Sequence, residues 1–305
     1  MELGIIGLGK MGGNMAERLR LGGHKVVGFD FSAEAVKRLT DTGSTGVSTL
    51  EELAKHLAAP RAVWLMVPAG KPVDETIAKL TPLLQKGDTI IDGGNSNYQD
   101  SQRRYRELKA EGFNFVDVGT SGGVWGLKEG YSMMVGGEDA VVERLYPIFE
   151  TLAPGKDKGW GHMGAAGSGH FVKMVHNGIE YGMMQAYAEG FAIMKAKEMD
   201  LDLAQIAQVW RYGSVIRSWL LDLTADALGR NPDLKGLEPY VEDSGEGRWT
   251  VFEAINLNVA APIITESLLR RIRSREEYNF TDRMLAIMRN EFGGHAVKSE
   301  KEEAA

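Results

Sequence analysis

The chain has 305 residues, 43% of them hydrophobic and 25% charged, with a formal net charge of −7 and no cysteine. This is an ordinary globular composition with ample chain for a core, and it offers no global field for nucleic acid or anionic membranes and no thiol for disulfides, metal ligation or nucleophilic attack. No apolar run reaches the ~18 residues of a membrane span and the first one lacks the basic flank of a signal peptide, so a reducing cytoplasm is the expected compartment.

Leu3 to Ile6 reads as a short buried strand running into Gly7-Leu8-Gly9-Lys10-Met11-Gly12, a G-x-G-x-x-G. A helix over 14–21 and a strand over 25–29 follow, which is the context a dinucleotide fingerprint requires. The first glycine allows the tight turn, the second lets backbone approach a pyrophosphate, and the third lets helix and strand pack closely. The phosphates belong at the helix N-terminus, where free N–H groups and the dipole favour anions. Asp30 lies 18 residues after Gly12, at the end of the second strand. A carboxylate there accepts from the ribose hydroxyls of NAD and repels the 2′-phosphate of NADP. Residues 31–34 are Phe, Ser, Ala and Glu, with no arginine to hold that phosphate. NAD is therefore the expected cofactor, and NADP the poorer fit. The candidate contacts are Gly7, Leu8, Gly9, Met11, Gly12 and Asp30; a cap on the helix near Ala33 is a compatible role for the acid.

The alternation continues with a helix over 50–57, a strand over 62–67, a helix over 73–84 and a strand over 89–92. A helix over 98–111, strands over 113–118 and 131–135, a helix over 138–152 and a strand over 158–161 follow. This pattern predicts an α/β Rossmann-like, doubly wound parallel sheet. Val67, Pro68 and Asn95 then sit at carboxyl ends of strands, where such sheets bind ligands. Asn95 suits a substrate or nicotinamide contact, and equally a turn. Ser121, Gly122 and Gly123 follow another strand, where glycine lets N–H groups approach a ligand.

Gly164 to Gly167 marks a boundary into Gly169–Tyr187, an apolar helix interrupted by Lys173, His176, Asn177, Glu180 and Tyr181. Those five share one face. Phe171, Val172, Met174, Val175, Ile179, Met183 and Met184 suit a core helix, so charges there need partners or a use. The competing reading is a solvated stripe with an i,i+7 charge pair. Helices are predicted over 203–211, 218–228, 250–257, 262–273 and 282–289, with no strand between them. The expected organisation is a dinucleotide-binding domain over 1–163, an all-helical substrate and dimerisation domain over 164–297, and a charged, disordered tail over 298–305. Arg248, Arg270, Arg271 and Arg289 carry forks suited to phosphate, though each taken singly reads as a solvated surface residue.

Taken together, the G-x-G-x-x-G, Gly93-Gly94-Asn95-Ser96, the Ser121-Gly122-Gly123 turn and Gly169-x-x-x-Lys173-x-x-x-Asn177 resemble the β-hydroxyacid dehydrogenases. Within them, Lys173 to Tyr181 (KMVHNGIEY) and Arg289 to His295 (RNEFGGH) are similar to the 6-phosphogluconate dehydrogenases, in a short bacterial form. The resemblance implies oxidative decarboxylation of 6-phosphogluconate to ribulose 5-phosphate and carbon dioxide. It implies Lys173 as the base on the 3-hydroxyl and Glu180 as the acid at C1. It implies that Asn95, Ser121, Gly122, Gly123, His176 and Asn177 hold the carboxylate and hydroxyls. Tyr181, Arg248, Arg271 and Arg289 would clamp the phosphate with His295. It also implies a homo-oligomer in which Arg289 and His295 reach a neighbouring subunit's site. No metal is expected, because a cation beside the carbonyl suffices for a β-keto acid and no ligand cluster is visible. Two positions depart from the family: Arg248 stands where lysine is usual, and Asp30 where NADP-dependent members carry neutral and basic residues.

Two other readings fit part of the pattern. One is a non-decarboxylating dehydrogenase of a small 3-hydroxy acid, which has little need of so many arginines. The other is a dinucleotide sensor without catalysis, which the joint presence of Lys173, Asn177 and Glu180 disfavours.

Overall fold

The computed structural model describes residues 1–277, 279–293 and 296–298; His295 and most of the expected tail lie outside them. The first part alternates β1 (Glu2–Ile6), α1 (Lys10–Leu21), β2 (Lys25–Phe29), α2 (Ala33–Asp41), β3 (Thr45–Val47), α3 (Leu50–Lys55), β4 (Ala62–Leu65) and α4 (Lys71–Leu80). It continues with β5 (Thr89–Asp92), α5 (Tyr98–Glu111), β6 (Asn114–Ser121), α6 (Gly126–Glu129), β7 (Ser132–Gly137), α7 (Asp139–Arg144), α8 (Tyr146–Leu152) and β8 (Trp160–Gly164). Only helices follow among the described residues: α9 (Ser168–Ala196), α10 (Leu203–Trp210), α11 (Trp219–Arg230), α12 (Glu246–Asn256), α13 (Pro262–Arg273) and α14 (Phe280–Gly293).

The strands form one sheet in the order β3-β2-β1-β4-β5-β6-β7-β8. The order reverses between β1 and β4, which is a topological switch point. Every pair is parallel except β6 with β7. The sheet is the expected doubly wound parallel one, with a single antiparallel pair. The β6–β7 connection holds only a 3-10 turn (Gly123–Trp125) and the single-turn α6, too short for a crossover helix. Three-residue β3 is too brief to leave a period in the sequence. The helix expected over 138–152 is two helices, because Pro147 starts α8 and cannot continue α7.

The central strands β1, β4, β5 and β6 are buried on both faces, as parallel sheets require. Leu3, Ile5, Trp64 and Val116 join Met15, Leu19 and Phe149 in one apolar layer. Ile6, Val27, Val63, Ile90 and Phe115 join Leu53, Leu80 and Leu108 in the other.

The chain resolves into two compact units that interleave in sequence. The first comprises Met1–Tyr181 and Gly245–Ile264, and so holds the sheet, the first half of α9, and α12. The second comprises Gly182–Ser244 and the described residues from Thr265 onward. Its core is small: Ala207, Leu221, Ala225 and Leu228, flanked by Tyr187, Phe191 and Trp210. Ile193, Val209, Tyr212, Val215 and Phe280 are exposed on it. Among the described residues no helix is long and apolar enough to cross a membrane.

Candidate active site

The glycine turn after β1 has the geometry its spacing demands. Gly7 has φ +96°, and a Cβ there would overlap the Met66 carbonyl. A Cβ on Gly12 would overlap the Gly7 carbonyl, so α1 starts directly against β1. Gly9 faces open space, and as the N-cap of α1 it brings no side-chain cap to the free N–H groups there. An anion fits that end of the helix. Leu8 and Met11 belong to the same turn; Met11 packs half-buried on the core, whereas the Leu8 N–H donates to Asp30 Oδ2 at 2.6 Å. Ser32 N–H donates to Asp30 Oδ1 at 2.8 Å. Asp30 thus ties β2 to the glycine turn and still has acceptor capacity for two hydroxyls. The cap of α2 is Ser32, which accepts from Ala35 N–H.

A cleft of about 370 Å³ brings Gly7, Gly9, Asp30, Val67 and Pro68 together with Phe31, Thr76 and Lys79. Phe31 is 85% exposed, and the Lys79 ammonium lies 6.0 Å from its ring. Sequence spacing around Asp30 gave no sign of Lys79, because α4 delivers it from the other side of the switch point. Asn95 is exposed in the loop after β5. Ser121 ends β6, and Gly122 and Gly123 follow at φ +133° and +51°.

Lys173 lies on the side of α9 that meets the end of β6. A Cβ on Gly119 would overlap the Lys173 Cβ, and one on Gly169 would overlap the Met134 and Asp117 carbonyls. Glycine at both positions lets the helix touch the sheet backbone. Lys173 is only 6% exposed, and its Nζ donates to Asn177 Oδ1 at 2.7 Å. His176 Nδ1 is 3.0 Å from the same oxygen and 3.9 Å from Glu180 Oε2. Burial pushes the Lys173 ammonium below the ordinary lysine range, opposed by the Glu180 and Glu246 carboxylates.

The face of α9 expected to be core is partly open. Met174 is buried, but Ile179 is 53% exposed, and Met183 and Met184 are also exposed. Lys173, Asn177 and Tyr181 are buried instead. The reason is packing against both β6 and α12: Thr250 Oγ1 donates to the Met174 carbonyl at 2.8 Å, and Gly178 sits under Thr250. Gly247 makes room for the Tyr181 ring.

Two buried acids support these loops, and sequence spacing missed both. Asp117 on β6 accepts from Gly167 N–H at 2.6 Å and His170 N–H at 2.8 Å, fastening the start of α9. Asp92 on β5, its neighbour in register, accepts from Gly94 N–H and Ser96 Oγ beside Asn95. An acid inside an apolar strand is the signal that could have flagged them. Glu246, buried at the start of α12, was also missed.

Arg248 lies half-buried in the first turn of α12, in the same unit as Lys173. Arg271 on α13 and Arg289 on α14 belong to the second unit. Arg271 donates to the Glu242 carbonyl at 2.8 Å. His295 lies outside the described residues.

A family model described as the NAD binding domain of 6-phosphogluconate dehydrogenase matches residues 2–164, and one described as the C-terminal domain of that enzyme matches 169–304. The NAD(+)-dependent, decarboxylating 6-phosphogluconate dehydrogenase of Haloferax volcanii is 44% identical over 97% of this chain and 98% of its own. The enzyme of the same name from Bacillus subtilis is 40% identical over 90% of this chain and 61% of its own. A Plasmodium falciparum 6-phosphogluconate dehydrogenase, solved with its cofactor NADP+ and with its substrate 6-phosphogluconate, superposes with a TM-score of 0.83 at 30% identity, over 100% of this chain and 67% of that one. The chain is an oxidoreductase with a dinucleotide-binding Rossmann domain, and it belongs to the 6-phosphogluconate dehydrogenase family.

Proposed function

We propose that the protein oxidises 6-phosphogluconate with NAD and releases carbon dioxide and ribulose 5-phosphate. The observation that carries this reading is Lys173: a nearly buried lysine whose ammonium is disfavoured by burial, fixed by Asn177 one turn on. A neutral amine held this way accepts the proton of the substrate 3-hydroxyl. The bound dinucleotide supplies the hydride acceptor at C3. The protonated lysine then stands beside the new carbonyl, where positive charge stabilises the enolate left by carbon dioxide. Glu180, two turns along α9 (~10 Å at 1.5 Å per residue), returns a proton to C1. His176 lies between Asn177 and Glu180 and orients both. Asn95, Ser121, Gly122 and Gly123 hold the carboxylate and hydroxyls. Tyr181, Arg248, Arg271 and Arg289 take the phosphate, with His295.

Asp30 supports NAD over NADP, and the Haloferax relative, named as NAD(+)-dependent, points the same way. Lys79 beside Phe31 pulls towards the 2′-phosphate and sets the residual use of NADP. Residues 1–163 serve the dinucleotide, and 164–297 the substrate and subunit association. A homo-oligomer is supported by the exposed apolar side chains and small core of the second unit. In it Arg289 and His295 complete a neighbour's site.

The test is to supply 6-phosphogluconate and NAD and to measure reduced cofactor and carbon dioxide together. Equal amounts of both are expected. Reduced cofactor without carbon dioxide, or turnover of 3-hydroxyisobutyrate alone, would replace this reading with the non-decarboxylating one.

A further inference from the structure

Arg104 on α5 is 1% exposed and makes contacts that the reaction above does not use. Its Nε donates to Asp74 Oδ1 at 2.7 Å, and its Nη2 to the Gly70 carbonyl at 3.1 Å. Its Nη1 donates to Asp92 Oδ2 at 3.1 Å and to Ser96 Oγ at 3.2 Å. Gly70 ends the loop after β4, and Asp74 lies in the first turn of α4. Asp92 ends β5, and Ser96 is the residue after Asn95. One planar guanidinium therefore joins the two loops that leave neighbouring strands β4 and β5. Burial pushes the Asp74 carboxyl up, but hydrogen bonds from Arg104 and Arg103 outweigh it and hold the carboxyl below its usual range. The Asp74 carboxylate on Arg104 stays ionised at neutral pH.

We propose that Arg104 is a positioning residue for the reaction, locking the loops over 67–70 and 93–96 to each other so that Asn95 is presented at a fixed place above the sheet. This rests on Asn95 meeting substrate or nicotinamide, as read above. Stability alone does not call for such a device, since well-packed apolar residues of similar volume in place of a buried ion pair are often no less stable. A lysine cannot substitute, because it lacks the rigid fork that reaches acceptors on both loops.

The test uses the full chain with Arg104→Lys, and with Arg104→Gln combined with Asp92→Asn, which removes the buried charges together. In both, kcat with 6-phosphogluconate and NAD is expected to fall about 10- to 100-fold, the range for a displaced reacting group. KM for NAD should change far less. The deuterium effect on kcat with 3-deuterated substrate should rise, because the step that needs Asn95 becomes limiting. The double variant should recover the wild-type melting temperature but not kcat. Amide exchange should accelerate in both loops and not in β1. A double variant with wild-type kcat, or unchanged exchange in the two loops, overturns the proposal. Failure of the wild type to turn over 6-phosphogluconate would instead remove the functional reading, and loop exchange would then decide the positioning role by itself.

Discussion

Lys173 combines burial on α9 with a single fixed acceptor, Asn177, and this governs its predicted behaviour. Lys173→Met should lower kcat by about 10²- to 10⁴-fold, the range for a lost general base, while NAD still binds; steady-state assays and cofactor titration check both. The pH dependence follows from the direction of its shift. Burial lowers the folded-state value below that of the unfolded chain, so the unfolded chain binds the proton more tightly and stability rises with pH between the two values. Lys173→Met should therefore raise the melting temperature at pH 7, and the gain should vanish as pH approaches ~10.4. A gain that grows with pH contradicts this. At the cofactor end, Asp30→Ser with Phe31→Arg should move the kcat/KM ratio towards NADP, and Lys79→Ala should move it towards NAD. An unchanged ratio in the first variant would remove Asp30 as the discriminator.

Helix α9 works because glycine lets it touch the sheet, and because Asp117 fastens its first turn. Gly119→Ala places a methyl into Lys173 and should destabilise the fold by ~1–3 kcal/mol in urea unfolding, the usual range for overpacking. Because the displaced helix carries Lys173, the proposed base, kcat should fall by more than the folded fraction does. These supports explain which features could be read in advance. The strand–turn–helix order of residues 3–29 and the Lys173, Asn177, Glu180 spacing are local periodicities, and a chain carries them openly. Asp92, Asp117, Arg104 and Lys79 act on partners far away in sequence, and only the sheet order brings them together. The buried side of α9 was also illegible. Hydropathy placed Ile179 and Met184 inside and Lys173 at risk, whereas packing against β6 and α12 reverses that. The antiparallel β6–β7 pair depends on the length of one connection, which strand patterns do not encode.

At the scale of the whole molecule, the second unit has a small core and many exposed apolar side chains among the described residues. If Arg289 serves a neighbouring subunit, mixing Lys173→Ala with Arg289→Ala protein under conditions that exchange subunits should restore part of the activity through hybrid sites. No recovery after proven exchange counts against a shared site. NAD-linked oxidation coupled to loss of the carboxylate, as proposed, can be measured by giving carboxyl-labelled 6-phosphogluconate to the purified protein with NAD and, separately, with NADP. Labelled carbon dioxide in step with reduced cofactor, and a higher kcat/KM with NAD, are expected. Reduced cofactor with the label retained in the product, or a clear preference for NADP, would contradict the proposal.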